Sequence, residues 1–125
     1  MKLTKDNGFN RVCGYYENKE ELGFLSMENY FGLRTMVMIT YWRSEEDLLA
    51  YSKGQKHLKA WKNFNRKIGN TDAVGIYHET YVVPAGKYEA IYGNMPVYGL
   101  AKTAKHMPVT AEIRTAKKRL GTGLE

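Results

Sequence analysis

His57 is the side chain best placed for chemistry, because it shares one face of a predicted helix with aromatic residues. His57, Trp61, Phe64 and Ile68 recur with the period of a helix, which predicts a helix from Gln55 to Ile68 with this face packed towards a sheet. An imidazole beside a tryptophan acts as an iron ligand or as a general base, or it is a hydrogen-bonded filler on the helix surface. All three interpretations stay open.

A second set of polar side chains lies inside an apolar segment further along the chain. Residues 74–83 are rich in β-branched and aromatic side chains and are predicted to form a long strand, with His78 and Glu79 on its opposite faces. A carboxylate in an apolar strand is unfavourable unless it is paired. We therefore expect Glu79 to have a partner, with Arg43 as one candidate, in a structural ion pair or at a ligand site.

Two earlier apolar segments are predicted to form an antiparallel hairpin with residues 32–34 as its turn. Residues 24–31 are moderately apolar, whereas residues 35–42 carry no charge and show no polar alternation. The second segment is therefore predicted to be buried on both faces. It ends at Tyr41 and Trp42, which are candidates for the core and for contact with a ligand.

The remaining elements follow from local signals. Ser44 is predicted to cap a helix, because Asp47 follows it by three residues in the manner of a capping box, and Gly54 is predicted to break that helix. Later in the chain, residues 88–92 are predicted to form a short strand and residues 99–106 a short helix.

Asn94 lies between these last two elements, in an uncharged loop that continues into Met95 and Pro96. It caps a turn there or faces a ligand.

Several kinds of site are excluded by the sequence. It contains no phosphate-binding glycine loop, no dinucleotide fingerprint and no His-Glu-x-x-His zinc helix. The three histidines are too few and too scattered for a metal cluster, so no metal site is predicted. Cys13 is the only cysteine, which excludes an internal disulfide and any multi-cysteine zinc or iron–sulfur site built from this chain alone.

Composition and charge indicate one compact globular domain of 125 residues, with 43% hydrophobic and 26% charged side chains. The net charge is +6, and residues 101–125, with six basic and two acidic side chains, supply +4 of it. We therefore predict a domain over residues 1–100 and a basic C-terminal extension over residues 101–125, and a nucleic-acid partner is not expected. Without a long apolar stretch or a signal peptide, the expectation is a cytoplasmic protein with no membrane partner.

Four blocks of the sequence closely resemble the uncharacterised monooxygenase-like family of the dimeric α/β-barrel superfamily. The blocks are Tyr41-Trp42-Arg43-Ser44, His57-x-x-Ala60-Trp61-x-x-Phe64-Asn65-Arg66, Val74-Gly75-Ile76-Tyr77-His78-Glu79-Thr80-Tyr81 and Gly86-x-Tyr88-Glu89-x-Ile91-Tyr92-x-Asn94-Met95-Pro96. They occur in order at compatible spacing and cover about residues 20–100.

The resemblance implies an α+β, ferredoxin-like fold of order β-α-β-β-α-β. Helices cover one face of an antiparallel sheet, and the sheets of two chains pack together as a dimeric α/β barrel, which explains strands that are apolar on both faces. Only a short polar segment precedes the first helix, which ends near Leu22, so the first strand of the fold is missing or altered. An open sheet edge needs another chain to cover it, and we expect a homodimer or a higher oligomer.

The resemblance also implies a monooxygenase-type oxidoreductase that acts on a small aromatic or haem-like ligand in a pocket between sheet and helices. Superfamily members work without a cofactor or with haem, and both stay open here. In this chain the resemblance assigns catalytic positions and ligand-binding positions to two sets of residues. They are His57, Trp61, His78 and Asn94 for catalysis, and Trp42, Tyr41, Glu79 and Arg43 for ligand binding.

Two alternatives compete with an enzyme. One is a non-enzymatic dimer that is either ligand-binding or purely structural, and the structural form would have His57, His78 and Glu79 fully paired and no cavity of about 300 Å³ or more. The other is an RNA-binding ferredoxin-like domain, which would need exposed aromatic residues on its sheet. Tyr77 and Tyr81 have the spacing for that surface but are expected to be buried.

Overall fold

The computed structural model describes residues 19–69 and 71–121. Their contacts divide the described chain into two compact units. The first unit comprises residues 19–25 and 42–79, and the second comprises residues 26–41 and 80–121. The expected loss of a first strand concerns residues before 19, which lie outside the described part of the chain.

A short helix, α1 (Lys19–Leu22), precedes an antiparallel hairpin of β1 (Phe24–Phe31) and β2 (Met36–Trp42). At the turn, the Gly32 N–H donates to the Thr35 carbonyl at 2.8 Å. The predicted hairpin is confirmed almost to the residue. The structure is therefore α+β, and a hairpin flanked by helices is compatible with a ferredoxin-like fold.

The prediction that residues 35–42 are buried on both faces is wrong for the single chain. Met36, Val37, Met38 and Ile39 are 36–47% exposed. In the described residues the sheet contains two strands only, so β1 shields one edge of β2 and little packs on the faces of its first half. The uncharged composition of β2 therefore marks a surface that this chain does not cover by itself.

Two helices follow the hairpin in the first unit, as predicted. The helix α2 spans Glu45–Ser52, and the Asp47 N–H donates to the Ser44 side chain at 3.1 Å, which confirms the cap. The helix α3 spans Gln55–Ile68 and begins after Gly54. It ends at Gly69, whose N–H donates to the Asn65 carbonyl at 3.0 Å.

The predicted strands over residues 74–83 and 88–92 are absent, although both segments lie in the described part of the chain. Their composition favours a strand, but a strand forms only where a neighbouring backbone completes its hydrogen bonds. Residues 74–83 are exposed throughout, and Tyr77 and Tyr81 are each 78% exposed. These two tyrosines are thus not buried as expected, and no sheet carries them.

The predicted C-terminal extension contains three short elements. The predicted helix over residues 99–106 is a shorter 3-10 helix, Gly99–Lys102. A second 3-10 helix spans Ala111–Ile113, and α4 spans Ala116–Gly121. From α4, the Arg119 Nε donates to Glu89 Oε2 at 2.8 Å, so part of the basic charge of this segment is paired within the second unit.

No helix among the described residues combines the length and the apolar character that crossing a bilayer requires.

Candidate functional site

Four rings in successive contact form the centre of the first unit. Phe24 contacts Trp42 edge-on with ring centroids 5.4 Å apart, and Trp42 contacts Tyr51 at 5.3 Å. Tyr51 in turn contacts His57 at 5.3 Å, so α2 and α3 are joined to the hairpin through aromatic packing. Trp42 and His57, two of the predicted site residues, therefore lie one ring apart in a packed core.

His57 is held by the end of the preceding helix. Its Nδ1 lies 2.9 Å from the carbonyl oxygen of Ser52. A carbonyl only accepts hydrogen bonds, so Nδ1 donates, and in the neutral ring Nε2 keeps a free lone pair. This orientation is the usual one for a histidine that binds a metal.

The cleft beside His57 does not fit a haem. Its volume is about 270 Å³, below the range of about 300–1,000 Å³ typical of ligand pockets. Charged and polar side chains line much of it, including Glu21, Asp47, Gln55 and Lys56. A haem needs an apolar slot beside its iron ligand, and this surface does not provide one.

Arg43 is paired with Asp47 at the start of α2. Its Nε and Nη2 donate to the two Asp47 oxygens at 2.9 and 3.1 Å, and the Ser44 hydroxyl donates to the same carboxylate at 3.0 Å. Hydrogen bonding to Arg43 holds the pKa of Asp47 below its ordinary value, with Ser44 contributing further. Arg43, the predicted candidate to pair with Glu79, is thus engaged by Asp47 in capping α2.

The other predicted site residues belong partly to the first unit and partly to the second. Trp61 stacks on Phe64 with ring centroids 5.9 Å apart and is 48% exposed. His78 and Glu79 lie in the exposed extended segment of the first unit.

Asn94 belongs to the second unit, as does Tyr41. Asn94 has φ 52°, a left-handed conformation that asparagine tolerates better than most residues.

The second unit is organised around a buried carboxylate, Glu28, in the middle of β1. Glu28 is 6% exposed, and its Oε1 accepts from the Gly99 N–H at 3.0 Å and from Lys102 Nζ at 2.6 Å. Burial by itself would raise the pKa of Glu28, but the contacts with Lys102 and Gly99 outweigh it, and the pKa lies below its ordinary value. Glu28 is therefore a buried anion that fixes the 3-10 helix Gly99–Lys102.

Tyrosine hydroxyls surround this ion pair. A hydrogen bond with Tyr30, together with burial and the nearby Glu28, raises the pKa of Tyr98 to about 12. Lys102 Nζ lies 5.2 Å from the centre of the Tyr98 ring. Burial raises the pKa of Tyr41, and the neighbouring hydroxyls of Tyr30 and Tyr92 raise it further. Because their pKa values are raised, the hydroxyls of Tyr98 and Tyr41 keep their protons at neutral pH and act as hydrogen-bond donors.

A second cleft, with a volume of about 350 Å³, is lined entirely by residues of the second unit. Its lining is mainly apolar, with four polar or charged side chains. The lining residues are Tyr88, Ala90, Ile91, Tyr92, Met95, Pro96, Val97, Leu100, Ala101, Ala104, Lys105, His106, Met107 and Val109. An apolar cavity with a few polar groups is the usual form of a ligand site.

Two polar residues of this cleft are held by one buried residue, Ala101. The Ala101 N–H donates to the Tyr92 hydroxyl at 3.0 Å, and His106 Nε2 donates to the Ala101 carbonyl at 2.6 Å. The Tyr92 hydroxyl hydrogen is thereby left to donate elsewhere, and in the neutral ring of His106 Nδ1 is left as an acceptor. The cleft thus combines a donor and a proton acceptor attached to the same turn of 3-10 helix.

Sequence reasoning overlooked Glu28, Tyr92, Lys102 and His106. The sequence does contain a signal for Glu28, because a carboxylate inside an apolar strand needs a partner. We applied this argument to Glu79 but not to Glu28. Tyr92 and His106 give no signal of their own, since their roles depend on the backbone of Ala101. No group of three metal-ligating side chains occurs among the residues that the structure describes.

Comparison of the sequence with known proteins finds one family and one characterised relative that are similar to this chain. The sequence profile of the family described as monooxygenase af470-like matches residues 3–100. The chain is 28% identical over 81 residues to monooxygenase af470 from Aspergillus fumigatus. That alignment covers 61% of this chain and 29% of the relative, so the chain spans less than a third of the relative's length. No solved structure matches the chain.

Proposed function

Because the chain belongs to the monooxygenase af470-like family, we propose that it is a monooxygenase-type oxidoreductase acting on a small aromatic molecule. The proposed site is the cleft of about 350 Å³ in the second unit. Its volume lies at the lower end of the range for ligand pockets, which suits a molecule of one or two rings better than a haem-like macrocycle. The purely structural alternative predicted no cavity of about this size, whereas the ligand-binding alternative allows one.

The observation that carries the proposal is the shared attachment of Tyr92 and His106 to Ala101. A substrate with a phenolic hydroxyl fits this pair, because His106 Nδ1 accepts its proton while the Tyr92 hydroxyl donates to the oxygen left behind. Both side chains are fixed before the ligand binds, so the arrangement needs little reorganisation. Catalytic roles for His57, Trp61, His78 and Asn94 stay predictions, and His57 lines the smaller cleft, whose residues belong to the first unit.

The proposed reaction needs no outside reductant. With 1-naphthol as an example, the phenolic proton passes to His106, and the electron-rich anion gives up electrons to dioxygen. A carbon–oxygen bond forms at the ring carbon opposite the hydroxyl, and the O–O bond breaks. One oxygen atom stays as the second carbonyl of 1,4-naphthoquinone, and the other leaves as water with the two hydrogens lost from the substrate. The substrate supplies all four electrons that reduce dioxygen.

Oxygen consumption and ligand binding, measured side by side, test the proposal. The parent chain is expected to bind 1-naphthol and 1-methoxynaphthalene but to consume oxygen only with 1-naphthol, because the ether has no proton to lose. His106→Gln should abolish the oxygen uptake while binding of the ether persists. Tyr92→Phe should reduce the uptake by about 100- to 1,000-fold, the range for loss of one donor to a developing anion.

His57→Ala is the matched control, since it removes a histidine from the smaller cleft. It should leave oxygen uptake unchanged. Loss of uptake in His57→Ala with no effect of His106→Gln would move the site to the first unit. Binding without oxygen uptake in the parent chain would favour the ligand-binding alternative.

A further inference from the structure

The helix α3 carries a concentrated positive charge. Its 14 residues contain five basic side chains and no acidic one. The basic residues are Lys56, Lys59, Lys62, Arg66 and Lys67. Because acidic residues are absent, this charge is not neutralised within the helix.

The apolar residues of α3 divide into a packed row and an exposed row. His57, Phe64 and Ile68 are half-buried and face the first unit. Leu58 and Trp61 are 44% and 48% exposed, and no residue of α3 is fully buried. Two large apolar side chains are thus partly exposed to solvent on a helix that also carries five basic side chains.

The exposed row lies directly beside basic residues. Lys62 follows Leu58 by four positions and Lys59 by three, and Arg66 follows Lys62 by four, so these side chains are neighbours on the helix surface. We define the α3 flank as Leu58, Lys59, Trp61, Lys62 and Arg66. In this flank Leu58 borders the cationic strip, and Trp61, three positions after Leu58, lies on the side of Leu58 away from the basic residues.

We propose that the α3 flank binds the surface of an anionic lipid bilayer. A helix that lies in the interface inserts apolar side chains among the acyl chains, while lysine and arginine stay at the headgroups. Tryptophan is enriched at that depth, and anionic headgroups attract each basic side chain. A surface helix needs no membrane-spanning segment. A nucleic acid would use the cations and stack a base on Trp61 but would leave the aliphatic Leu58 in water, whereas a bilayer buries both side chains.

Vesicle co-sedimentation tests the α3 flank directly. The full chain should bind vesicles of phosphatidylcholine with about 30% phosphatidylserine and should not bind phosphatidylcholine alone. Lys59→Gln with Lys62→Gln should weaken binding by about 25-fold, from about fivefold for each charge. The matched control, Lys117→Gln with Lys118→Gln, removes the same charge from α4 and should bind like the parent.

The apolar part of the surface is tested by fluorescence in a Trp42→Phe background, where Trp61 is the only tryptophan. Vesicles with brominated acyl chains should quench Trp61 emission, and this readout needs no substitution on α3. Absence of binding to anionic vesicles at low salt would overturn the proposal, as would equal weakening in the α4 control. Binding without quenching of Trp61, displaced by single-stranded DNA, would identify a nucleic-acid surface instead.

Discussion

At the scale of single residues, Glu28 has the most demanding environment among the described acidic side chains. Its carboxylate is buried, yet the Lys102 ammonium and the Gly99 N–H keep it ionised. Removing one member of a buried pair leaves the other uncompensated, which costs more than the pair itself contributes. Glu28 also fixes the 3-10 helix to which Tyr92 and His106 are attached through Ala101. One carboxylate thus acts on both stability and the proposed site.

Glu28→Gln is expected to lower the free energy of unfolding by about 2 kcal/mol. The figure is below that for a fully buried pair, because the Lys102 side chain is 37% exposed and regains water. Urea unfolding measures the change. Glu45→Gln, at an exposed position, serves as the control and should change stability by less than about 0.5 kcal/mol.

The same carboxylate predicts a dependence of stability on pH. The folded-state pKa of Glu28 lies below its ordinary value of 4.5, so the unfolded chain takes up the proton first as the pH falls. The stabilisation from Glu28 is therefore complete above that ordinary value and is lost as the pH falls through the folded-state pKa. The difference in unfolding free energy between the parent and Glu28→Gln should shrink across this interval. A difference that grows on acidification would contradict the ionised state of Glu28.

At the scale of elements, the junctions of the secondary structure are held by short-range contacts. Ser44 and Asp47 cap α2 reciprocally, and Arg43 completes the cluster. In the second unit, Gly99 begins a 3-10 helix with φ +57°, a conformation that most side chains disfavour. Each junction predicts the effect of a single substitution.

Ser44→Ala is expected to destabilise the fold by about 1 kcal/mol, because the Asp47 N–H loses its acceptor. Thermal unfolding followed by circular dichroism measures the change. Ser52→Ala is the matched control. It removes an exposed hydroxyl at the other end of α2 that donates only to the Leu49 carbonyl. An equal effect of the two substitutions would show that the cap contributes nothing specific.

Gly99→Ala is expected to cost about 1–2 kcal/mol through its backbone conformation alone. A Cβ at this position would lie 3.5 Å from the Tyr41 hydroxyl, an ordinary contact, so steric overlap adds nothing. Gly75→Ala provides the comparison, since a Cβ there meets no atom within 4 Å and its φ is not left-handed. Chemical denaturation of both variants should show destabilisation for Gly99→Ala only.

At the scale of the whole molecule, the exposed first half of β2 points to self-association. Met36, Val37, Met38 and Ile39 present apolar side chains on both faces of a two-stranded sheet. Neighbouring residues of this kind form a patch that proteins normally cover. The homodimer implied by the family resemblance supplies such a cover, and it stays a proposal.

Sedimentation velocity at micromolar concentration should therefore show a dimer or a larger assembly. Met38→Lys and Ile39→Lys place a charge on opposite faces of β2, and the variant that dissociates the assembly identifies the face that is covered. Leu33→Lys is the control, because Leu33 is fully exposed at the hairpin turn and outside the patch. A parent chain that sediments only as a monomer would refute the proposal.

The hairpin, the helices α2 and α3, the Ser44 cap and the family could all be predicted from the amino-acid sequence. Turn residues, helical period and capping act over a few positions, so their signals are complete within a short window. The prediction of a strand over residues 74–83 was wrong, because it also rested on a local signal and a local signal is not sufficient for a strand. Its propensity is local, but a strand needs a hydrogen-bonded neighbour that composition does not specify.

The proposed site could not be predicted from the sequence, because its contacts join segments that are far apart along the chain. Gly99 lies 71 residues from Glu28, and no local pattern links them. Tyr92 and His106 meet through the backbone of Ala101, whose identity carries no chemical signal. A buried carboxylate can be recognised from its apolar neighbours, but which cation and which N–H satisfy it depends on how distant segments pack.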